Sequence, residues 1–593
     1  MIQTGYRHFK NKELNHSRIT AGYFIVLFVS LALVARLFVL MILQHDFYAV
    51  VASGAQEMYA QLFPRRGQTR VIDARNGQEY PAAINRDVFL MYADTRQITT
   101  DAMASSTAVA LSSFFSYDEE YVAGLYAKLN KRSDPYEPIE KKVDEITAAE
   151  IKKLKLPGLY FSRHSERFYP EASFAAQVIG FLGKDDIGTE SGRYGVEGYW
   201  QNELGGSGGF QEGAQSAGGS WIAGDDGTLR PATDGADIIL TIDRTLQFEG
   251  CEKLKSGMEE YGAASASMVI MDPKTGAVLA MCSAPDFDLN SYNQVNNPEM
   301  FNNSAIFTPY EPGSIFKPIV MAGALNENVV GPASPFRDNG RRDGICDQPI
   351  QNAGNKSFGD QTMTGVLQNS INTGMVYVAE SLGKDKFKEY LKKFGFGVKT
   401  GIELDTETTG VIDSLNINKS GKFDCYTATA AFGQGITVTP LQITNAFAAI
   451  ANGGALMRPY IVKEIRYSDG KVNKTKPQVI NEVLDKKAAG LLAGMLVKTV
   501  DKGYSGRARV PGYFVAGKSG TAEIAGRGGY TKTYNHSFIG FAPIDDPKFV
   551  MFVKYEKPLA AYAESTAAPV FGKMAKFILE YFQVPPERPV DDK

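Results

Sequence analysis

The longest apolar run of the chain comes early. Residues 21–43 read AGYFIVLFVSLALVARLFVLMIL and carry one charge, Arg36. At 1.5 Å per residue such a helix is about 35 Å long, enough to cross a hydrocarbon core. No small-residue cleavage site follows it, so the pattern predicts a retained membrane helix rather than a removable signal. Arg7, Lys10, Lys12 and Arg18 precede it against Glu13, and the next basic residues after it are Arg65 and Arg66. That asymmetry predicts a cytoplasmic tail at 1–20 and the rest of the chain outside, in a single pass. Arg36 reads as snorkelling toward the outer interface or as a polar contact to a partner membrane helix.

Beyond the anchor the periodicity is mixed from 44 to 235. Helical spacing marks Asp118–Leu129 and Thr147–Lys155, and strand-like runs cover Val71–Asp73 and Val88–Tyr92. The glycine-rich stretch Leu204–Gly227 reads as a loop or hinge. From 236 apolar order returns with ADIILTID. ASMVIMDPKTGAVLAM (266–281) then places a Asp-Pro-Lys-Thr-Gly turn between two apolar runs, the pattern of a β-hairpin. Helical patterns fill 315–326, 364–382 and 440–452, and strand character returns at 513–523, 536–542 and 548–554. Helices in the middle with strands at both ends predict an α+β, layered domain over 236–583 and a loose tail at 584–593.

Composition narrows the chemistry. The 593 residues carry 63 Lys+Arg against 66 Asp+Glu, a net charge of −3, so the basic excess of a nucleic-acid binder is missing. A 44% hydrophobic content excludes wholesale disorder, and the length predicts more than one domain. Four cysteines (251, 282, 346, 425) are too few and too scattered for a disulfide scaffold and form no C-x-x-C; the five histidines form no H-E-x-x-H. A histidine-rich metal site is therefore not expected.

Three short motifs carry candidate chemistry. In Pro312-Gly-Ser314-Ile-Phe-Lys317-Pro318, serine and lysine three apart share a helical face, and Pro318 places the helix start near Ser314. A hydroxyl beside an amine that can be neutral is a nucleophile with its base. Alone, Ser-x-x-Lys is a weak signal, more often a surface serine near a snorkelling lysine. In Ser370-Ile-Asn372, a hydroxyl and a carboxamide could relay a proton and hold an amide, although in isolation a polar turn at a helix start is the commoner reading. In Lys518-Ser519-Gly520-Thr521, on an apparent strand edge, the cation can lower the pKa of Lys317. Ser519 and Thr521 can bind a carboxylate, and Gly520 lets a substrate approach the backbone.

Two other readings fail on their mechanics. Gly512–Ser519 matches the Walker A pattern, but the residues between its glycines are Tyr-Phe-Val-Ala, and no buried strand leads in and no helix leads out. A Ser314–His536 hydrolase pair lacks the G-x-S-x-G elbow. His536 reads as structural or as a cleft wall.

Ser-x-x-Lys, then Ser-x-Asn, then Lys-Ser-Gly, in that order, resembles the signature of penicillin-recognising serine enzymes. From the anchor to about residue 582 the chain resembles class B penicillin-binding proteins. Arg66-Gly67 with Ile72-Asp-Ala-Arg-Asn-Gly77, Arg167-Phe-Tyr-Pro170 and Gly195-Val-Glu-Gly198 look like the family's membrane-proximal motifs. VIMDPKTGAVLAM, Gly433-Gln-Gly435, Thr439-Pro-Leu-Gln442 and Ser537-Phe-Ile-Gly-Phe-Ala-Pro543 also match. Extra residues between Gly67 and Ile72, Ala74, and Lys-Ser-Gly in place of Lys-Thr-Gly depart from the pattern.

The resemblance implies an N-terminal transmembrane helix, an elongated mixed α/β pedestal (44–235, dimerisation-type) and a transpeptidase domain whose mostly antiparallel sheet is sandwiched by helices. It implies a D,D-transpeptidase that cross-links peptidoglycan stem peptides, a D-Ala-D-Ala donor with an amine acceptor, through an acyl-enzyme on Ser314. Lys317 would be the base, Ser370 with Lys518 the proton relay, and Asn372 the holder of the donor peptide. The N–H groups of Ser314 and Thr521 would form the oxyanion hole. β-Lactams would be covalent inhibitors, and no metal or cofactor would be required. YEPGS, GQGITVTPLQIT and SFIGFAP look more like division than elongation enzymes, implying a SEDS-family membrane glycosyltransferase and other divisome proteins as partners. The rival readings are an elongation-type enzyme, a β-lactamase or carboxypeptidase using Glu403 or Glu407, and a non-catalytic penicillin sensor or divisome scaffold.

Overall fold

The computed structural model describes residues 16–39, 64–184, 190–211, 229–417, 422–526 and 529–589. A helix spans His16–Phe38. Among the described residues no helix is long and apolar enough to cross a membrane, and residues 40–43 of the expected span lie outside them. Most of the expected glycine-rich hinge, from 212 onward, also lies outside the described residues.

The chain forms two compact units. One comprises residues 1–63, 86–166 and 209–232; the other comprises 64–85, 167–208 and 233–593. The units therefore do not follow the single sequence boundary expected at 235/236, because residues 64–85 and 167–208 pack with the C-terminal part of the chain.

In the smaller unit, helices Asp101–Phe115, Glu119–Leu129 and Glu145–Lys153 start where Thr100, Asp118 and Asp144 accept a hydrogen bond from the N–H three residues on. This is why the helices expected at 118 and 147 begin where they do: an aspartate at the N-cap satisfies an otherwise orphaned donor. Their apolar faces meet Met91, Ala93, Ile139 and Val143 in one core, and the strand Glu137–Asp144 pairs antiparallel with residues 88–93.

The larger unit is built on a five-stranded antiparallel sheet. Strand β1 (Ser265–Met271) and β2 (Val278–Ala284) form the expected hairpin. They are joined late in the chain by β3 (Ala516–Gly526), β4 (Gly529–Ala542) and β5 (Phe549–Glu556), in the order β2-β1-β5-β4-β3. Both faces are covered. Met268, Ile270, Met551 and Val553 point into a core shared with helices α1 (Arg244–Glu260) and α7 (Ala567–Tyr581). Val269, Met271, Val550 and Phe552 point into the other core. Burial on both sides is why these strands read as unbroken apolar runs rather than as alternating ones. The second core holds α2 (Lys317–Asn326), α3 (Met363–Gln368), α4 (Asn372–Leu382), α5 (Pro440–Ala451) and α6 (Lys486–Lys502).

A second sheet in this unit runs Thr69–Ile72 parallel to Asp237–Asp243, which pairs antiparallel with Val462–Arg466. Here three segments far apart in sequence meet at one carboxylate. Glu197 is fully buried and ion-paired to Arg66 and to Arg167, whose Nη1 also donates to the Gly67 carbonyl at 2.7 Å. A Cβ on Gly67 would lie 1.9 Å from the Ala236 carbonyl oxygen, so only glycine fits.

Three expectations are corrected. Helix 364–382 is two helices, because Ser370 sits in the left-handed region at φ 54° and breaks the ladder. The tail from 584 is tied down through residue 588: the Glu587 carboxylate accepts from the Phe514 and Ile544 N–H groups, and Arg588 pairs with Asp501. The cysteines are not isolated; they form the disulfides Cys251–Cys282 and Cys346–Cys425. Such bridges persist in an oxidising compartment.

Candidate active site

Ser314 lies in a single turn of 3-10 helix, Gly313–Phe316, and α2 starts at Lys317 rather than at the serine. Pro318 occupies the first turn of α2, where the missing N–H costs no intrahelical bond. Lys317 is fully buried. Its Nζ donates to the Ser370 carbonyl at 2.6 Å, to Ser370 Oγ at 3.1 Å and to Asn372 Oδ1 at 2.7 Å. The left-handed turn at Ser370 is what points both its carbonyl and its hydroxyl at the amine. The Asn372 carboxamide is held in turn, donating to the Gln351 carbonyl at 2.9 Å.

Strand β3 forms the opposite wall. A Cβ on Gly520 would lie 2.8 Å from Ile315 Cγ2 and 3.3 Å from the Ile315 nitrogen, and one on Gly313 would lie 2.9 Å from Ala522 Cβ. The Lys518–Thr521 segment therefore runs directly against the turn that carries Ser314. Lys518 is buried, and its Nζ donates to the Ser519 carbonyl at 2.8 Å. Burial of Lys317, with the Lys518 cation nearby, pushes the Lys317 amine well below the usual lysine range. Burial also brings Lys518 down to about 7, partly opposed by Glu564. Two buried amines with depressed affinity for protons in one cleft mark a proton-transfer site.

The structure thus brings the three motifs together: Ser370 and Asn372 hold the Lys317 amine, and the strand carrying Lys518, Ser519, Gly520 and Thr521 abuts the turn that carries Ser314. Thr521 Oγ1 accepts from the Ala563 N–H at 3.2 Å and keeps its proton for another acceptor. The other candidates make different contacts. Glu403 accepts from the Ile461 N–H and Glu407 from the Thr400 N–H and hydroxyl, which are structural roles. His536 is buried at the position paired with Thr521 on β4, its Nδ1 3.1 Å from Thr566 Oγ1, and burial lowers its pKa to about 4. It is a neutral wall of the strand. The Walker-like residues form the entry to β3 and no phosphate loop.

Sequence reasoning missed two supports. Ser505 is buried, its Oγ 3.3 Å from both the Ser519 nitrogen and Ser519 Oγ; a serine in a turn carries no signal of this. Gly433, noted only within a matching motif, accepts the Gly313 N–H at 3.0 Å, and a Cβ there would lie 2.2 Å from the Gly313 carbonyl oxygen. Among the described residues no cluster of three or more His, Cys, Asp or Glu side chains could hold a metal ion.

Residues 266–576 match the penicillin binding protein transpeptidase domain, and residues 63–240 match the penicillin-binding protein dimerisation domain. Stage V sporulation protein D of Bacillus subtilis is 35% identical over 88% of this chain and 79% of its own length. Peptidoglycan D,D-transpeptidase FtsI of Escherichia coli is 31% identical over 76% of this chain and 73% of its own. The crystal structure of penicillin binding protein 2X from Streptococcus thermophilus superposes with a TM-score of 0.73 at 22% identity, covering 88% of this chain and 80% of that one, and so shares the fold.

Proposed function

This chain belongs to the class B penicillin-binding proteins, and on that footing we propose how its cleft works as a serine D,D-transpeptidase that cross-links peptidoglycan. The observation that carries the reading is the buried Lys317 amine, placed three residues after Ser314 and held by Ser370 and Asn372.

Neutral Lys317 takes the Ser314 proton as Ser314 Oγ bonds to the carbonyl carbon of the penultimate D-Ala. The N–H groups of Ser314 and Thr521 receive the developing oxyanion. The C–N bond then breaks, and the departing D-Ala amine takes back, through Ser370, the proton that Lys317 accepted, since Ser370 Oγ lies 3.1 Å from the Lys317 amine. Asn372 holds the donor amide, and Ser519 and Thr521 hold the terminal carboxylate. An acceptor amine attacks the acyl-enzyme by the reverse proton path. It forms the cross-link and releases Ser314. A β-lactam follows the first half and stays attached.

Domain limits follow the sequence reading: a tail at 1–20, an anchor at 21–43, a pedestal at 44–235, a catalytic domain at 236–583 and a short tail to 593. The anchor would hold the enzyme on the outer face of the cell membrane. Two disulfides support that side, since a reducing cytoplasm would not keep them. A septal role beside a SEDS-family glycosyltransferase and other divisome proteins fits the FtsI likeness. A role in sporulation is the second reading, favoured by the 35% identity to the sporulation protein.

The test of the chemistry is peptide mapping of a labelled penicillin adduct on the intact chain. The label is expected on the peptide holding Ser314 and to persist for minutes to hours. Label elsewhere overturns the site, and rapid release points to a lactamase. A fluorescent fusion followed through growth separates the two cellular roles: midcell signal in every dividing cell supports the septum, and signal confined to spore-forming cells supports the alternative.

A further inference from the structure

Away from the nucleophile, the larger unit carries an open groove of about 660 Å³ that none of the chemistry above uses. Its floor is aromatic. The Phe181 ring stacks on Tyr292 with centroids 4.3 Å apart and planes 15° apart, and it meets the edge of Phe301 at 4.9 Å. Tyr194 closes the row, 5.5 Å from Phe301. Phe181 is buried and fixes the others, while Tyr194, Tyr292 and Phe301 are part exposed. Tyr194 holds φ 58° with ψ 169°, a backbone state that a side chain of its size avoids. The chain keeps it because Gly180 and Gly195 pack backbone on backbone beside it: a Cβ on Gly180 would lie 2.2 Å from the Tyr194 carbonyl oxygen. Neither the Tyr194 nor the Tyr292 hydroxyl has a hydrogen-bond partner among the described residues.

The rim is charged. Lys184 and Arg193 are exposed at the two ends of one antiparallel strand pair, Arg193 opposite Phe181 and Lys184 opposite Glu190, and neither forms an ion pair among the described residues. Asp405 and Thr406 also line the groove, and Asp405 Oδ1 accepts from the Thr406 N–H at 2.8 Å. Flat, part-exposed rings present apolar faces of the size of a pyranose, and ring hydroxyls and a carboxylate accept or donate to sugar hydroxyl and amide groups. Exposed cations at the rim, without an ion pair among the described residues, suit a ligand that carries carboxylates.

We propose that this groove is a glycan-docking subsite, taking a carboxylate-bearing amino-sugar strand across the Tyr194–Tyr292–Phe301 faces with its acid groups toward Lys184 and Arg193. The site rests on the transpeptidase reading for the identity of the strand, the glycan of peptidoglycan freed of its stem peptides. It holds stretches of the strand stripped of their peptides, while the active site joins the peptides of other stretches. Binding here is by contact alone and breaks no bond.

The experiment uses the full chain in detergent and three probes: glycan strands stripped of stem peptides, chitin oligosaccharides of equal length without lactyl carboxylates, and free stem peptides. The stripped glycan is expected to bind, and the chitin oligosaccharide several-fold more weakly. Tyr292→Ala and, separately, Arg193→Glu are expected to lower glycan affinity at least fivefold while labelled penicillin acylates both variants at the wild-type rate. Arg193→Glu changes only an exposed side chain, so it remains informative if Tyr292→Ala fails to fold. No glycan binding by the wild type, equal binding of the two variants, or binding of stem peptides alone overturns the proposal. A wild type that binds glycan but takes no penicillin would instead overturn the transpeptidase reading and leave the groove standing.

Discussion

Lys317 and Ser370 are joined by two contacts from one side-chain nitrogen, 2.6 Å to the carbonyl and 3.1 Å to the hydroxyl of a serine whose backbone is left-handed. The strained turn and the buried amine hold each other. The turn presents two acceptors to one amine, and the amine, which would be costly to bury alone, satisfies both. Removing either partner therefore affects more than one bond.

Lys317→Ala should cut the rate of penicillin acylation by about 10²–10⁴-fold, the usual span for loss of a positioned base. Ser370→Ala removes the hydroxyl and keeps the carbonyl contact, so the fall should be smaller. Stopped-flow acylation with a fluorescent penicillin reads both, and a Lys317→Ala enzyme that acylates at the wild-type rate would assign the base elsewhere.

The acylation rate should be bell-shaped in pH. The base must be neutral, so the acid limb follows the lowered affinity of Lys317 for its proton and the rate falls as pH drops through it. Lys518 is required as a cation, and the rate should fall as pH rises past about 7. Stability carries the opposite sign for Lys518. The unfolded chain binds this proton up to its ordinary value near 10.5 and the folded chain only up to about 7. Its cost is thus absent above the unfolded value and grows as pH falls toward 7. A Lys518→Met variant should flatten the alkaline limb.

Glu197→Ala should destabilise the larger unit by about 3–5 kcal/mol, because it leaves Arg66 and Arg167 without their buried counter-charge. Chemical denaturation reads the loss. Folded Glu197→Ala protein should still acylate at Ser314, since no contact of Glu197 reaches the cleft residues.

Cutting the Cys346–Cys425 bridge by a double serine substitution should lower stability by about 4.5 kcal/mol on chain-entropy grounds for a separation of 79 residues. It should also slow acylation, because the bridge ties the loop running to Gln351, which holds Asn372, to the helix that leads to Gly433. Cutting Cys251–Cys282, between α1 and β2, should lower the melting temperature with little change in acylation.

Gly433→Ala places a Cβ where the Gly313 carbonyl stands and forces a left-handed backbone on alanine. Acylation should drop well over tenfold, whereas Gly470→Ala, also at positive φ but with open space around it, should cost only stability.

The chemistry was legible because it is written in short, local patterns: serine and lysine one helical turn apart, serine and asparagine flanking one residue, lysine and glycine on an apolar strand. The hairpin around Asp272–Gly276 and the apolar strands 536–542 and 548–554 were legible for the same reason, since burial and turn chemistry act on neighbours in sequence. What joins these patterns acts across the chain. That Gly520 abuts Ile315, that Ser370 turns left-handed to meet Lys317, that four cysteines pair and that Glu197 collects Arg66 and Arg167 are consequences of β3 inserting beside β4 and of residues 64–85 packing with the C-terminal part of the chain. Sequence alone determined which groups could do the chemistry. Only tertiary packing decided that they meet, and by burying two amines in one cleft it set their readiness to give up protons, which no spacing of residues encodes.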